Sequence, residues 1–534
     1  MSDSTLDPHL GSDRPRHAEI VAALTRRWPE HRVAPSLGRV AALTELLGDP
    51  HRAFPVIQLT GTNGKGSTAA MIDALLRSQG LRTGRFTSPH VMDVTERIQI
   101  DGRPISPEGF DQIWTEIEPY VAMVDQQAID GVAMTFFEII TGMAFAAFAD
   151  APVDVAILEV GLGGTWDATN VADATVAVVT PIDLDHTHLL GSTVEEIATE
   201  KAGIIKPGST AVLAGQSPAA ARILMQRAAD VGAAVQREGL EFGVLARNLG
   251  VGGQQLRLDS AAGPIEDIFL PLYGAHQAEN AALALAAAEA FTGLQSTDPD
   301  VIREGFAAVE VPARLEVVRR SPPVLLDAAH NPHGATAAAA AMSEAFDFSP
   351  LVGVVAVMRD KNAEGILRAY EDLFSVVVVT EVASTDRGMP AADLGEVAAG
   401  IFGADRIRVT PRMDDAIEEA IALAEEEGAA SPGVLITGSV VAVGEARTLL
   451  VGAGGTTDRP GAAAVTAEGV LDTREASSND EDLEQDDADD EDDEQEKDYS
   501  YGPEYGDFGD DFESEGYAPL PDDTDDTDTT GDQR

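Results

Sequence analysis

Short apolar runs alternate with stretches of helical period along most of this chain, which predicts strands and helices in turn. Val56-Ile57-Gln58-Leu59 reads as a strand that leads into GTNGKGS. The segment that follows puts Met71, Ile72, Leu75 and Leu76 on one helix face, with Gly80 as its stop. Phe136 to Phe148 reads as a helix, and Val153 to Val160 and Thr175 to Thr180 as strands. Ser192 to Glu195 spells a capping box that opens a helix through Glu200 and Lys201. Residues 234–272 look strand-rich and irregular, and Gln277 to Thr292 reads as an Ala-rich helix. A second series begins near Arg314, with strands over 323–327, 351–358, 375–382, 406–410 and 433–438 and helical stretches between them. Both halves therefore read as α/β with mainly parallel sheets. The join is expected near Val309 to Pro312, giving domains over 1–311 and 312–452, with the ligand cleft between them beyond the carboxyl ends of the strands.

Composition narrows the class. The chain has 534 residues, 44% of them hydrophobic, and no cysteine. Zero Cys excludes a disulfide scaffold, a thiolate metal site and a cysteine nucleophile. No apolar run is long enough for a membrane span, and the polar start lacks the apolar core of a signal peptide, so a cytoplasmic protein is expected. The net charge of −55 argues against nucleic-acid binding, which needs basic surface. The charge is uneven. Leu471 to Arg534 carries 28 acids and 3 bases, whereas the preceding 470 residues carry 63 acids and 33 bases. So acidic a segment with few aliphatics cannot bury enough apolar surface to offset its ordering entropy. Residues 453–534 are expected to be a disordered acidic tail, either solubilising or a binding tail for a basic partner.

Gly61, Thr62, Asn63, Gly64, Lys65, Gly66 and Ser67 lie between a predicted strand and a predicted helix. Glycines let backbone N–H groups close around an anion, and a helix N-terminus adds positive potential. Lys65 can reach the β- and γ-phosphates of a nucleotide. The spacing departs from GxxxxGK[ST], since only two residues separate Gly61 from Gly64-Lys65. The strand–loop–helix context still favours a phosphate-binding loop over an ordinary βα turn.

GTNGKGS is also the phosphate-loop spelling of the Mur-type amide ligases. Further segments follow in order: Thr87-Ser88-Pro89-His90 with Thr95-Glu96-Arg97-Ile98; Met134 to Glu138; Leu158 to Gly164 with Asp167-Ala168-Thr169-Asn170; Asp185-His186-Thr187-His188; Glu200 to Ile204; Pro312-Ala313-Arg314; and Asp327 to Gly334. As a set, from about residue 20 to 450, they resemble the folylpolyglutamate synthase/dihydrofolate synthase family, and the acidic tail lies outside the resemblance. It implies a phosphate-loop ATPase domain of the Mur ligase central type, a smaller Rossmann-like C-terminal domain, and a monomer that uses ATP and Mg²⁺.

Glu159 ends a buried strand, where a carboxylate is costly without a cation or donors; a helix-capping Glu is the plain alternative. The resemblance makes Ser88, Glu159 and His186 magnesium ligands, although His is an unusual choice for a hard cation. His188 is expected beside the site rather than on the metal. Lysine is scarce here: Lys65, Lys201, Lys206, Lys361 and Lys497 stand against 31 Arg. A Lys kept in such a chain points to amine chemistry that Arg cannot supply. The resemblance makes Lys201 a carbamylated lysine holding a second Mg²⁺; otherwise Glu200 and Lys201 are a solvated pair. It also puts Asn280, Arg314 and Asp327 on ATP, His330 near the transferred group or the incoming glutamate, and Ser439 on glutamate. Asn280 alone reads as a structural amide and Asp327 as a helix N-cap.

The family's pterin-binding segments match Val33-Ala34-Pro35, Met134-Thr135-Phe136-Phe137 and Trp166-Asp167-Ala168. Phe136 and Phe137 point apart on a helix, so at most one of them should touch a ligand. The implied reaction activates a substrate carboxylate as an acyl phosphate, held by Lys65 and Mg²⁺, which the amino group of L-glutamate attacks with help from His330 or Asp327. The competing readings are another Mur-type ligase, a phosphate-loop switch that hydrolyses ATP without ligation, and a degenerate scaffold.

Overall fold

The computed structural model describes residues 13–27, 35–293, 298–426 and 430–452. The expected acidic tail, the polar N-terminal stretch, and Val33 and Ala34 lie outside these residues.

Eight strands form the first sheet: β1 (Val56–Thr60), β2 (Thr83–Phe86), β3 (Ile98–Ile100), β4 (Arg103–Pro104), β5 (Val155–Glu159), β6 (Val176–Val179), β7 (Thr210–Leu213) and β8 (Ala234–Arg237). Their spatial order is β4-β3-β2-β5-β1-β6-β7-β8. From β2 to β8 the pairs are parallel, and only β3 and β4 run antiparallel at one edge. β1 and β5 are buried throughout, as near-continuous apolar strands covered on both faces should be. A three-stranded antiparallel sheet follows, with β9 (Gly243–Gly250), β10 (Gly253–Asp259) and β11 (Ile265–Leu270).

A second six-stranded sheet holds β12 (Glu316–Arg320), β13 (Pro323–Leu326), β14 (Leu351–Val355), β15 (Val376–Val379), β16 (Ile407–Val409) and β17 (Gly433–Thr437), in the order β12-β13-β17-β14-β15-β16. All its pairs are parallel except β12 with β13. β12 was not foreseen. Its sequence, Glu-Val-Val-Arg-Arg, is a polar edge strand whose hydrophobic signal is weak.

Helix Lys65–Ser78 buries every residue from Ser67 to Leu76. It is buried all round because the sheet lies on one side and helices Ala275–Thr292 and Pro299–Ala307 pack on the other. Alanine along Ala275–Thr292 keeps that layer thin, so the phosphate loop rests on a rigid platform. The capping box expected at Ser192 and Glu195 sits one residue later. Thr193 is the N-cap, its hydroxyl accepting from the Glu196 N–H while Glu196 returns a bond to the Thr193 N–H. Two adjacent hydroxyl residues, Ser192 and Thr193, made the register ambiguous.

One buried ion pair joins two helices of the first domain. Arg39 is 1% exposed and donates to both oxygens of Glu138 at 3.0 and 3.1 Å. Glu138 also completes the cap at Thr135. Arg39→Ala would strand that carboxylate, and should lower the unfolding free energy by about 3–5 kcal/mol in denaturant titration.

Candidate active site

The phosphate loop leaves the carboxyl end of β1 at the middle of the first sheet. Gly61 and Gly64 take positive φ (145° and 88°). A Cβ at Gly61 would lie 1.8 Å from the Thr180 hydroxyl oxygen, and one at Gly64 would lie 2.5 Å from Asn280 Oδ1. The glycines are therefore required twice, by backbone conformation and by close approach. Asn280 stands against the loop and donates to Gln277 Oε1 at 3.2 Å. The Lys65 amine folds back onto the Gly61 and Thr62 carbonyls at 3.1 and 3.3 Å, and the buried Lys201 amine also donates to the Gly61 carbonyl, at 2.8 Å. Asn63 reaches the other way. It exchanges two amide hydrogen bonds with Asn331 (3.2 and 3.0 Å) and meets His333 Nδ1 at 2.9 Å.

Glu159 ends β5 beside this loop and is 5% exposed. Its one hydrogen bond among the described residues comes from the Ser88 N–H at 3.2 Å. Burial pushes its carboxyl up, opposed first by the charge of Lys65. A carboxylate with most of its acceptor capacity unused, buried among cations, matches a cation-binding role and not a helix cap. His186 follows β6 with φ 49°, a left-handed conformation of the kind kept at functional sites. Burial, then the charge of Lys361, pushes its imidazole down to about 4, so it is neutral near pH 7.

Asp185 is the residue that sequence reasoning passed over. Its carboxylate accepts from the Lys361 amine at 2.7 Å, from Asn331 Nδ2 at 3.1 Å and from the His186 N–H at 2.8 Å. Although burial opposes it, the neighbouring His186 imidazole and Lys361 amine hold the Asp185 carboxyl well below the usual carboxylate range. Lys361 also meets His186 Nε2 at 3.3 Å. The scarcity of lysine flagged Lys361, but nothing in the local sequence paired it with Asp185, 176 positions away.

Arg314 sits between Ala313 and Leu315, both at positive φ (58° and 45°). Asp327 fastens this turn, accepting from the Leu315 and Ala329 N–H groups at 3.1 and 3.0 Å. It is not the cap of the following helix; that role belongs to Asn331, whose Oδ1 accepts from the Gly334 N–H at 2.8 Å. His330 Nδ1 lies 3.0 Å from the Ala328 carbonyl, so Nδ1 carries the proton and Nε2 keeps its lone pair. Burial, then Lys361, pushes this imidazole down to about 4.

Beside these groups lies a cavity of about 410 Å³ whose lining includes Ser88, Phe137, Trp166, His186, His330 and Lys361. Thr135, Asp167, Ala168, His188 and Ser439 also line it. Thr135 and Ser439 are helix N-caps, accepting from Glu138 and Ala442 N–H groups. The Asp167 carboxylate is saturated by the N–H groups of Gly161, Leu162 and Thr169 and by the Thr169 hydroxyl, so it builds the glycine turn. Phe137 faces the cavity and Met134 is in the core, whereas Phe136, under Arg97, packs in the core and lines the adjoining open cleft. Pro35 is exposed and is not part of the lining. A wider open cleft of about 1240 Å³ adjoins the cavity through His90, Arg97, Asp360 and Arg387.

Two family models match, the Mur ligase middle domain over residues 59–288 and the Mur ligase glutamate ligase domain over residues 313–440. Dihydrofolate synthase/folylpolyglutamate synthase of Mycobacterium tuberculosis is 49% identical over 455 residues, covering 81% of this chain and 93% of the relative. The chain belongs to the dihydrofolate synthase/folylpolyglutamate synthase family of Mur ligases. The Bacillus subtilis member is 35% identical, covering 78% of this chain and 95% of its own. A solved M. tuberculosis folylpolyglutamate synthase complexed with ADP and AMPPCP superposes with a TM-score of 0.78 at 48% identity, covering 82% of this chain and 99% of that one. A solved FPGS–AMPPCP–folate complex gives a TM-score of 0.71 at 32% identity, covering 82% and 100%.

The family implies a magnesium ion, and the donor set can be tested against it. Among the described residues no three His, Asp or Glu side chains converge as a ready-made cage. Mg²⁺ does not need one, because it keeps waters and takes phosphate oxygens. Glu159 and the adjoining Ser88 fit as oxygen donors. His186 Nε2 fits only when Lys361 turns away, since a lone pair serves one partner at a time.

Lys201 yields a stability test. Burial, then the charge of Lys65, pushes its amine down to about 7 from an ordinary 10.5. Between those values the unfolded chain holds a proton that the folded chain lacks, so the group's contribution to stability rises with pH. Unfolding free energy measured at pH 7 and pH 9 should therefore rise more in the wild type than in Lys201→Met. Parallel changes would exclude an amine poised near neutrality.

Proposed function

We propose that this protein is an ATP-dependent amide ligase that adds L-glutamate to dihydropteroate and to the γ-carboxyl of reduced folates. The observation that carries the reading is a phosphate loop with an under-satisfied buried carboxylate, Glu159, against Gly66, which the Ser88 N–H joins to a cavity that Ser88 and the neutral His330 line, in a chain of this family. The carboxyl edges of parallel strands are where α/β proteins bind ligands.

Gly61 to Ser67 hold the ATP phosphates, with Asn280 and Arg314 on the nucleotide. Asp327 acts at one remove, by fixing the strained turn that presents Arg314. The substrate carboxylate attacks the γ-phosphorus, an acyl phosphate forms and ADP leaves. Lys65 and Arg314 balance charge on the transferring group, so the work is positioning and electrostatics. The amino nitrogen of L-glutamate then attacks the acyl carbon, the amide forms, phosphate leaves, and the amine proton passes to His330 Nε2. A magnesium ion held by Ser88, Glu159 and His186 would add Lewis-acid stabilisation of phosphate charge. Lys201, buried with a neutral fraction near pH 7, suits carbamylation, and the carbamate would hold a second Mg²⁺. Phe137, Trp166 and Ala168 offer the pterin side of the cavity, and Ser439 a hydroxyl for glutamate.

The reading extends to a monomeric cytoplasmic enzyme, with neither nucleic acid nor membrane as partner, whose ATP-binding and C-terminal domains meet near residue 311. No helix among the described residues is long and apolar enough to cross a membrane.

Mixing purified protein with ATP, Mg²⁺, L-glutamate and either dihydropteroate or tetrahydrofolate should release ADP only when both organic substrates are present. Release without them would favour a nucleotide hydrolase. Under the same conditions Lys65→Ala should lower kcat by about 10²–10³-fold, the scale for losing one preorganised charge-stabilising donor, with the fold intact by circular dichroism.

A further inference from the structure

Helix Val440–Val451 starts at the cavity, where its N-cap Ser439 is part of the lining, and runs away along the second sheet. Midway stands Gly444, buried and helical. A glycine there weakens the helix relative to alanine. The neighbouring element explains it. A Cβ at Gly444 would lie 2.0 Å from the Val91 carbonyl oxygen and 3.1 Å from its carbon. Val91 belongs to the first domain, three residues beyond Ser88, and its side chain packs into the second domain's core with Ala442, Val443 and Ala446. The backbone it presents is rigid, because the Glu96 carboxylate accepts from the Val91, Met92 and Asp93 N–H groups at 2.8, 3.0 and 3.0 Å. One turn along the helix Arg447, paired with Glu316, donates to the Met92 sulfur at 3.2 Å.

We infer that Gly444 is a positioning residue, a contact point bare of side chain that lets the second domain seat on the Ser88–Met92 loop and so sets Ser439 and Ser88 on the walls of one cavity. An alanine would hold the helix off a backbone carbonyl that cannot yield. The consequence for substrate rests on the ligase reading above. The phosphate loop is borne by β1 and helix Lys65–Ser78 and meets Ser88 through Glu159, so nucleotide affinity is expected to change less than turnover.

The test sets Gly444→Ala beside Gly400→Ala. Gly400 lies in helix Ala391–Phe402, and a Cβ there meets nothing within 4 Å. Both changes raise helix propensity, so Gly400→Ala should not lower Tm, whereas Gly444→Ala must also move off the Val91 carbonyl and should lower it while still folding. Gly400→Ala should keep wild-type kinetics. Gly444→Ala should raise KM for glutamate and folate and lower kcat, together by about 10²-fold in kcat/KM, while Kd for AMPPCP changes by about tenfold or less. Small-angle scattering with AMPPCP bound should show a larger radius of gyration for Gly444→Ala than for wild type. Wild-type kinetics in Gly444→Ala, assayed at a temperature where circular dichroism shows it folded, would overturn the inference. If the wild type itself ligates no glutamate, the ligase reading fails, and the scattering comparison still decides the seat: an unchanged radius of gyration overturns it.

Discussion

The charge pair between Asp185 and Lys361 carries the arrangement of this site. Asp185 arrives from the end of β6 in the first sheet and Lys361 from beyond β14 in the second, and they meet at 2.7 Å, both almost hidden from water. A buried pair repays its desolvation only when its remaining hydrogen-bond capacity is also met. Here Asn331 and the His186 N–H complete the Asp185 carboxylate, and Asn331 is in turn bonded to Asn63 of the phosphate loop. One chain of polar contacts thus runs from the nucleotide loop of one sheet to the helix start of the other. The cavity beside it is a product of that junction, because neither sheet alone supplies both walls.

Much of the fold could be read from the sequence because the central strands are simple. Val56 to Thr60 and Val434 to Ile436 are apolar runs buried on both faces, which no exposed segment imitates. Edge strands β4 and β12 were hidden, since Arg-Pro and Glu-Val-Val-Arg-Arg are polar stretches suited to exposed positions, and β3 is only three residues long. Of the site, the phosphate loop and Glu159 were legible because glycine spacing and a carboxylate at a strand end are local signals. Asp185 was not, since its importance lies in partners far along the chain. Asp327 was misjudged for a related reason. It precedes a helix, as caps do, yet its oxygens hold Leu315 and Ala329 while Asn331 does the capping.

Several side chains named by family resemblance turn out to shape backbone. Thr135 and Ser439 cap helices, Asp167 gathers the glycine turn after β5, and Asp327 holds two left-handed residues in place around Arg314. Each such left-handed residue costs about 1–3 kcal/mol, so the surrounding contacts must over-determine it. Rigidity of this kind fits a reaction whose catalysis is positioning.

The pairing of Lys65 and Lys201 on the Gly61 carbonyl has one more consequence. Both amines are gathered on the backbone of one turn, Lys201 on the Gly61 carbonyl and Lys65 on the Gly61 and Thr62 carbonyls. A triphosphate entering the turn would meet amines already drawn together there, so it would trade carbonyl partners for phosphate oxygens without first having to gather its cations.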